Sequence, residues 1–182
     1  GAEHPDYQLA KQFAQYVTEL GFMVMTGAGG GIMEAGNLGA GPDHSFGLNI
    51  QLPFEQGANT VMEGNPKLID FKYFFTRKLF FLRESDALVL FPGGFGTQDE
   101  GFEALTLIQT GKADPMPIVM VDHPGGHYWQ GWDTYIRTHL LLIGQSEKTH
   151  TDFFVKLTAF FRIGIFSFFY LFFLLNQICQ II

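Results

Sequence analysis

Cysteine is almost absent from this chain: its 182 residues include one, Cys179. A single thiol builds no disulfide framework, so the fold must be held by its core, as suits a reducing compartment. Charge is scarce too, at 16% of residues, and the formal net charge is −7. That argues against a non-specific nucleic-acid binder, which would carry a basic patch or stripe. It does not exclude a small anionic ligand, because a few local donors outweigh a net field. The opening "GAEHPDYQLA" lacks the apolar run of a secretory signal, so a cytoplasmic protein is expected. There is no internal repeat and no domain linker. What the chain has is 47% hydrophobic residues, enough for one domain to bury a core.

The carboxyl end stands apart. Residues 160–182, "FFRIGIFSFFYLFFLLNQICQII", carry one charge, Arg162. About twenty apolar residues can span a bilayer, so one reading is a tail anchor contacting membrane. Against it, Asn176, Gln177 and Gln180 interrupt the last third, and no basic cluster follows to set an orientation. The other reading is a stretch outside the domain's own pattern. The expected division is a domain at 1–158 and an atypical tail at 159–182, with no function placed in the tail.

Hydrophobic periodicity predicts the elements. Residues 7–20 place Leu9, Phe13, Tyr16, Val17 and Leu20 at helical spacing before Gly21. "FMVMT" reads as a buried strand, "IMEAGNLGAG" as a short helix, and "FGLNIQLP" as a strand closed by Pro53. Residues 54–66 read as a polar loop and "KLIDFKYFFTRKLFFLRES" as one long aromatic helix. "DALVLF" is a third strand, 97–110 a helix, "PIVMVD" a fourth strand and "YWQGWDTYIRTHLLLIG" a further helix. Helices alternating with short apolar strands predict an α/β, Rossmann-like three-layer fold with a parallel sheet covered on both faces. Ligands of such sheets bind where strand carboxyl ends meet helix amino termini.

Two glycine clusters lie at such junctions: "TGAGGG", residues 26–31, and "PGGFGT", residues 92–97. Pro92 stops the strand ladder. Gly93, Gly94 and Gly96 would permit positive φ and close approach of a ligand to the backbone. A helix starting near Thr97 would offer unpartnered amides to a phosphate. Two such loops suggest a nucleotide-like ligand. Neither matches a stock fingerprint: Ile32 stands where a dinucleotide motif needs its third glycine, and no G-K-[ST] exists. Taken singly, each cluster is a tight strand-to-helix turn. Thr97-x-x-Glu100 is equally a capping box, although a carboxylate beside a phosphate is costly unless it acts on the sugar. Arg77 and Lys78 read as a solvated pair, yet they interrupt "FKYFFTRKLFF", so at least one must leave an aromatic surface. His123 and His127 lack the Cys or acidic cluster of a metal site and read as loop residues; no metal is expected.

In combination these residues resemble the LOG ("Lonely guy") family of nucleoside 5′-monophosphate phosphoribohydrolases, many of them formerly labelled lysine decarboxylases. The family hallmark P-G-G-x-G-T-x-x-E is matched at every fixed position by residues 92–100, "PGGFGTQDE". Its upstream R-K pair corresponds to Arg77 and Lys78, and its glycine turn with G-[IL]-M to "GGGIME". "LNIQLPFEQGANT", "EALTLIQTGK" and "YWQGW" resemble the longer bacterial branch, over roughly residues 4–150. The resemblance implies hydrolysis of the N-glycosidic bond of an AMP or cytokinin riboside monophosphate type of substrate, with no cofactor. It implies Arg77 and Glu100 as catalytic residues. Lys78 and the backbone of Gly93, Gly94, Gly96 and Thr97 would bind substrate, with Gly30, Gly31 and Met33 walling the nucleotide. It implies a homodimer with the aromatic helix near the interface. The family starts with a strand ending in a Gly-Ser turn, and this chain begins after that point, so the fold is expected to lack its first strand. The alternatives are a non-catalytic carrier or sensor on the same fold, a pyridoxal-dependent decarboxylase through Lys78, and a membrane-tethered interaction protein.

Overall fold

The computed structural model describes residues 1–50 and 57–140. The end of "FGLNIQLP", part of the 54–66 loop, the last predicted helix beyond Leu140 and the 159–182 tail lie outside the described residues. No helix among the described residues is long and apolar enough to cross a membrane. The chain divides into two compact units, Gly1–Ser85 and Asp86–Ile182. Both are α/β with parallel strands, the Rossmann-like arrangement.

In the first unit, helix α1 spans Pro5–Glu19. Pro5 is pre-set for a first helical position, and the His4 side chain accepts from the Asp6 amide at 3.3 Å. Asp6 also puts negative charge at the positive end of the dipole. The helix stops at Gly21, whose φ of 92° suits glycine. There the Gly21 amide bonds Thr18 O and the Phe22 amide bonds Val17 O, a Schellman close. The buried face is Tyr7, Ala10, Phe13 and Ala14. This corrects the predicted stripe: Leu9, Tyr16, Val17 and Leu20 are only half-buried. The reason is the partner. Helix α2, Ile32–Ala40, packs on α1, and a Cβ at Gly39 would overlap the Lys11 carbonyl and the Ala14 Cβ. So close an approach is filled by alanines, leaving larger side chains at the margin.

Strand β1, Val24–Thr26, pairs in parallel with β2, Ser45–Ile50, through the α2 crossover. A second parallel pairing places β3, Leu68–Phe71, beside β2, giving the sheet order β1-β2-β3. Strand β3 corrects the long predicted helix. "KLIDF" is apolar enough for either state, but pairing with β2 supplies its backbone bonds, and Asn49 Nδ2 donates to Asp70 Oδ1 across the strands at 2.7 Å. Exposed Ile69 and Asp70 mark an edge strand. Helix α3 then covers only Phe74–Arg83 and packs on β2 and β3. Fully buried Leu48 and Met62 anchor this core.

In the second unit, β4, Leu88–Leu90, pairs in parallel with β5, Ile118–Met120. Helix α4, Phe95–Gln109, joins them. It lies close to β4 because Gly101 leaves room for Leu90: a Cβ there would be 3.1 Å from Leu90 Cδ1. Helix α5, Tyr128–Tyr135, runs into a π-helical turn at Ile136–Leu140. Leu90, Ala104, Ile118, Val119, Val121 and Trp129 form the buried centre.

Candidate functional site

The first glycine loop leaves β1 and turns into α2. Thr26 Oγ1 accepts from the Ala28 amide at 3.0 Å and donates to Asn37 Oδ1 at 2.8 Å. Ala28 is fully buried at a left-handed φ of 59°, a conformation that costs an alanine about 1 kcal/mol. It is held there from one side by Asn59. The Asn59 amide donates to Ala28 O at 2.7 Å, and its Nδ2 reaches Gly29 O at 3.0 Å and Asn37 Oδ1 at 2.9 Å. Asn37 and Asn59 are buried, and buried bonds of this kind fix a loop more firmly than exposed ones do; among the described residues Asn37 Oδ1 is bonded twice while the buried Asn37 Nδ2 has no partner. Gly31 ends the loop at φ 68° and ψ −127°, caps α2 without a side chain, and leaves the first amides of α2 uncapped.

Two of the expected residues, Met33 and Arg77, gather over this loop. The Met33 side chain folds back on it: a Cβ at Gly27 would lie 2.8 Å from Met33 Sδ, and one at Gly29 would lie 2.6 Å from Met33 Cε. The same Cβ at Gly27 would lie 3.7 Å from Arg77 Nη1. Gly27 is therefore the point where the thioether, the guanidinium and the end of β1 meet, although the sequence pointed to Gly30 and Gly31. Arg77 is half-buried, with its guanidinium 5.3 Å from the Phe74 ring and 5.8 Å from the Phe81 ring. Those contacts hold the guanidinium against aromatic faces on both sides of it along α3. Lys78 is the next residue on α3, so it projects about 100° away around the helix. Of the R-K pair, Arg77 is the member placed beside the loop. Behind the loop, Tyr7 Oη donates to Glu34 Oε2 at 3.5 Å. Burial first, then the Glu34 charge and this hydrogen bond, push the Tyr7 phenol above its ordinary value.

The second glycine loop corrects three expectations. Helix α4 starts at Phe95, two residues before Thr97, with Gly94 as its cap residue and no side-chain cap bond. Thr97 is thus already in the first turn and Glu100 in the second, so the pair is not a capping box: Thr97 stands too deep in the helix to cap it. Gly93, Gly94 and Gly96 do not take positive φ. Gly94 sits at φ −87°. Gly93 is required instead by contact, since a Cβ there would overlap the Thr97 side chain. At Gly94 and Gly96 a Cβ would meet nothing within 4 Å, so the space outside these two residues is open. The first intrahelical bond is donated by the Gln98 amide to Gly94 O. The amides of Phe95, Gly96 and Thr97 precede it, at the positive end of a 15-residue helix. Half-buried Glu100 lies three residues after Thr97, on the same face of α4. The Phe95 side chain is 95% exposed and is turned away from the core.

The structure therefore gathers Met33 and Arg77 over the first loop, within the first unit. It gathers Gly93, Gly94, Gly96, Thr97 and Glu100 within the second. Sequence reasoning missed Asn37 and Asn59, the side chains that hold the first loop. A polar residue within a short apolar helix, such as Asn37, was the signal available for one of them.

A family model described as "possible lysine decarboxylase" matches residues 25–161, well over half of the chain, and all ten expected site residues fall within the match. No curated protein matches the chain.

Proposed function

The chain belongs to the LOG family, described as possible lysine decarboxylase, and from that premise we propose that it hydrolyses the N-glycosidic bond of a nucleoside 5′-monophosphate. The products are the free base and ribose 5-phosphate. The observation that carries this reading is the start of α4: a helix with no side-chain cap behind an open glycine loop, and a carboxylate on the face of Thr97 that is not itself a cap. The uncapped amides suit the 5′-phosphate. Breaking the bond puts positive charge on the sugar, which a carboxylate stabilises, or it activates the attacking water. Water adds its oxygen to the anomeric carbon, the bonding pair leaves with the base, and a proton of the water goes to the base. Glu100 takes the carboxylate role. Arg77 is the second catalytic residue, its planar fork suited to phosphate or sugar hydroxyls. Lys78, Gly30, Gly31 and Met33 contribute to substrate binding.

The test is base release from a panel of nucleoside 5′-monophosphates, with adenosine against AMP as the central comparison. AMP should turn over far faster than adenosine. Equal rates would remove the phosphate requirement. Binding of AMP without any base release would favour a carrier or sensor. Loss of carbon dioxide from lysine on adding pyridoxal phosphate would favour the decarboxylase, whose chemistry needs the cofactor as a lysine Schiff base.

The same reading includes a homodimer, cytoplasmic and formed near α3. Tyr73, Phe74, Phe75, Leu79 and Phe80 are all exposed on or beside this helix, Phe75 by 69%. A contiguous apolar patch of this kind on a small protein marks an interaction surface. Light scattering at micromolar concentration should give twice the monomer mass, and Phe75→Lys should return the monomer.

A further inference from the structure

We infer that Tyr128 is a positioning residue for the phosphate-binding loop of α4: its phenol sets the direction in which the Gly94 amide points. This rests on the proposed function for the identity of the ligand.

The placement begins in "VDHPGGHYW", residues 121–129. After β5 the chain makes a tight turn in which Gly125 takes φ 85° and the Gly126 amide bonds His123 O at 2.8 Å. A Cβ at Gly126 would overlap the Asp122 carboxylate, which therefore fills the inside of the turn. Asp122 accepts there from the His123 amide at 3.1 Å and from the Tyr128 amide at 2.8 Å. The second bond caps α5, since the cap residue His127 offers no side-chain bond of its own. Next to it, Trp129 is buried, donates its Nε1 to Val121 O at 3.0 Å, and sets its ring edge-on to that of Tyr128 at 4.7 Å. Backbone and ring of Tyr128 are thus both held by these neighbours.

The phenol then reaches that loop. Gln98 Nε2 donates to Tyr128 Oη at 2.7 Å, and Tyr128 Oη donates to Gly93 O. The direction is forced by chemistry: an amide nitrogen only donates, a carbonyl only accepts, and the phenol has one hydrogen. No peptide bond described is cis, so the 93–94 peptide is trans, and its N–H points opposite to its C=O. Holding Gly93 O toward Tyr128 turns the Gly94 N–H the other way, out of the Tyr128 contact. Between two glycines this peptide plane would otherwise rotate at little cost. The phenol removes that freedom before the ligand arrives, which is how preorganisation raises affinity.

The experiment compares wild type, Tyr128→Phe, Gln98→Leu and the double variant, using inorganic phosphate, AMP and adenosine as probes. Tyr128→Phe keeps the ring contacts, so its melting temperature should match wild type. Its KM for AMP and its inhibition constant for phosphate should rise about tenfold, the worth of one such bond. Its kcat, and its slow turnover of adenosine, should hold. Gln98→Leu should raise KM for AMP two- to threefold, about the worth of the weaker support, and add little in the double variant. Unchanged KM and phosphate inhibition in Tyr128→Phe would overturn the inference while leaving the proposed function standing. A lowered melting temperature with equal losses on AMP and adenosine would make Tyr128 merely structural and overturn it too. A wild type that binds neither phosphate nor AMP would overturn the proposed function, and the inference with it.

Discussion

The two glycine loops occupy equivalent places, each between a strand's carboxyl end and a helix start, but they are built on different principles. The loop at 26–31 is fixed from inside. Its conformation needs left-handed residues at Ala28 and Gly31, and buried Asn37 and Asn59 hold it with side-chain bonds. The loop at 92–97 is fixed from outside. It needs no left-handed residue, stands open at Gly94 and Gly96, and is tied by half-buried Gln98 and exposed Tyr128. The difference teaches that glycine serves two ends here: access to unusual dihedrals in the first loop, bare backbone in the second. Changes in the first should therefore cost stability, and changes in the second should cost ligand binding or turnover.

The largest effect is expected at Glu100, which belongs to the second loop's helix without capping it. Glu100→Gln should lower turnover about a thousandfold, ~4 kcal/mol of barrier, with an unchanged melting temperature. Single-turnover base release from AMP beside a thermal melt checks both halves. A wild-type rate would remove Glu100 from the chemistry.

Stability should respond most at Asn59. Asn59→Ala strips side-chain bonds from Gly29 O, Asn37 Oδ1 and the amides of Val61 and Met62. About 2–4 kcal/mol should be lost in urea unfolding, because buried polar groups are left unmet. The matching change in the second loop, Gln98→Ala, should move stability by less than about 0.5 kcal/mol. Comparable losses at both positions would erase the inside-outside distinction.

A paired glycine test comes next. Gly31→Ala forces an L-residue into a region open to glycine and should cost about 1–3 kcal/mol. Gly94→Ala meets nothing and keeps an ordinary φ. Its stability should change by less than about 1 kcal/mol, while on the proposed reading phosphate inhibition weakens, because the new methyl would stand in the path of the phosphate. Isothermal titration with phosphate and a urea curve separate the two outcomes.

The smallest effect lies at alkaline pH, at Tyr7 of the first unit. The Tyr7 phenol is raised in the fold by burial and by Glu34, so folding favours its protonated form. That contribution is complete below the unfolded value near 10 and is lost as pH rises through the folded value. Wild-type stability should therefore fall more steeply above about pH 10 than that of Tyr7→Phe, by a small margin. Urea midpoints at pH 8 and 11 would show it, and parallel curves for the two proteins would deny it.

Much of the fold was readable along the chain because its signals are local. Pro5 and Gly21 bracket α1, a short apolar run precedes each glycine turn, and "PGGFGTQDE" declares its family. The failures share one physical cause. In "KLIDF" helical and extended periodicities fit equally well, and only pairing with β2 selects the strand. At Thr97 and Glu100 a capping-box spacing was present, but the glycines let the helix begin at Phe95, which moved both residues inward. In α1 the apolar stripe was visible, yet the approach of Gly39 decided that alanines form the seam.

By itself the sequence determined the class of fold, the positions of both glycine turns and the residue types that the proposed chemistry calls on, because propensity, periodicity and side-chain chemistry are properties of neighbours along the chain. Tertiary structure alone decided which groups serve which loop. Arg77 approaches Gly27 across 50 positions, Asn59 reaches Gly29 across 30, and Tyr128 reaches Gly93 across 35. Hydrogen bonds and close contacts depend on distance in space, and parallel strands joined through helices bring together residues that no local pattern connects.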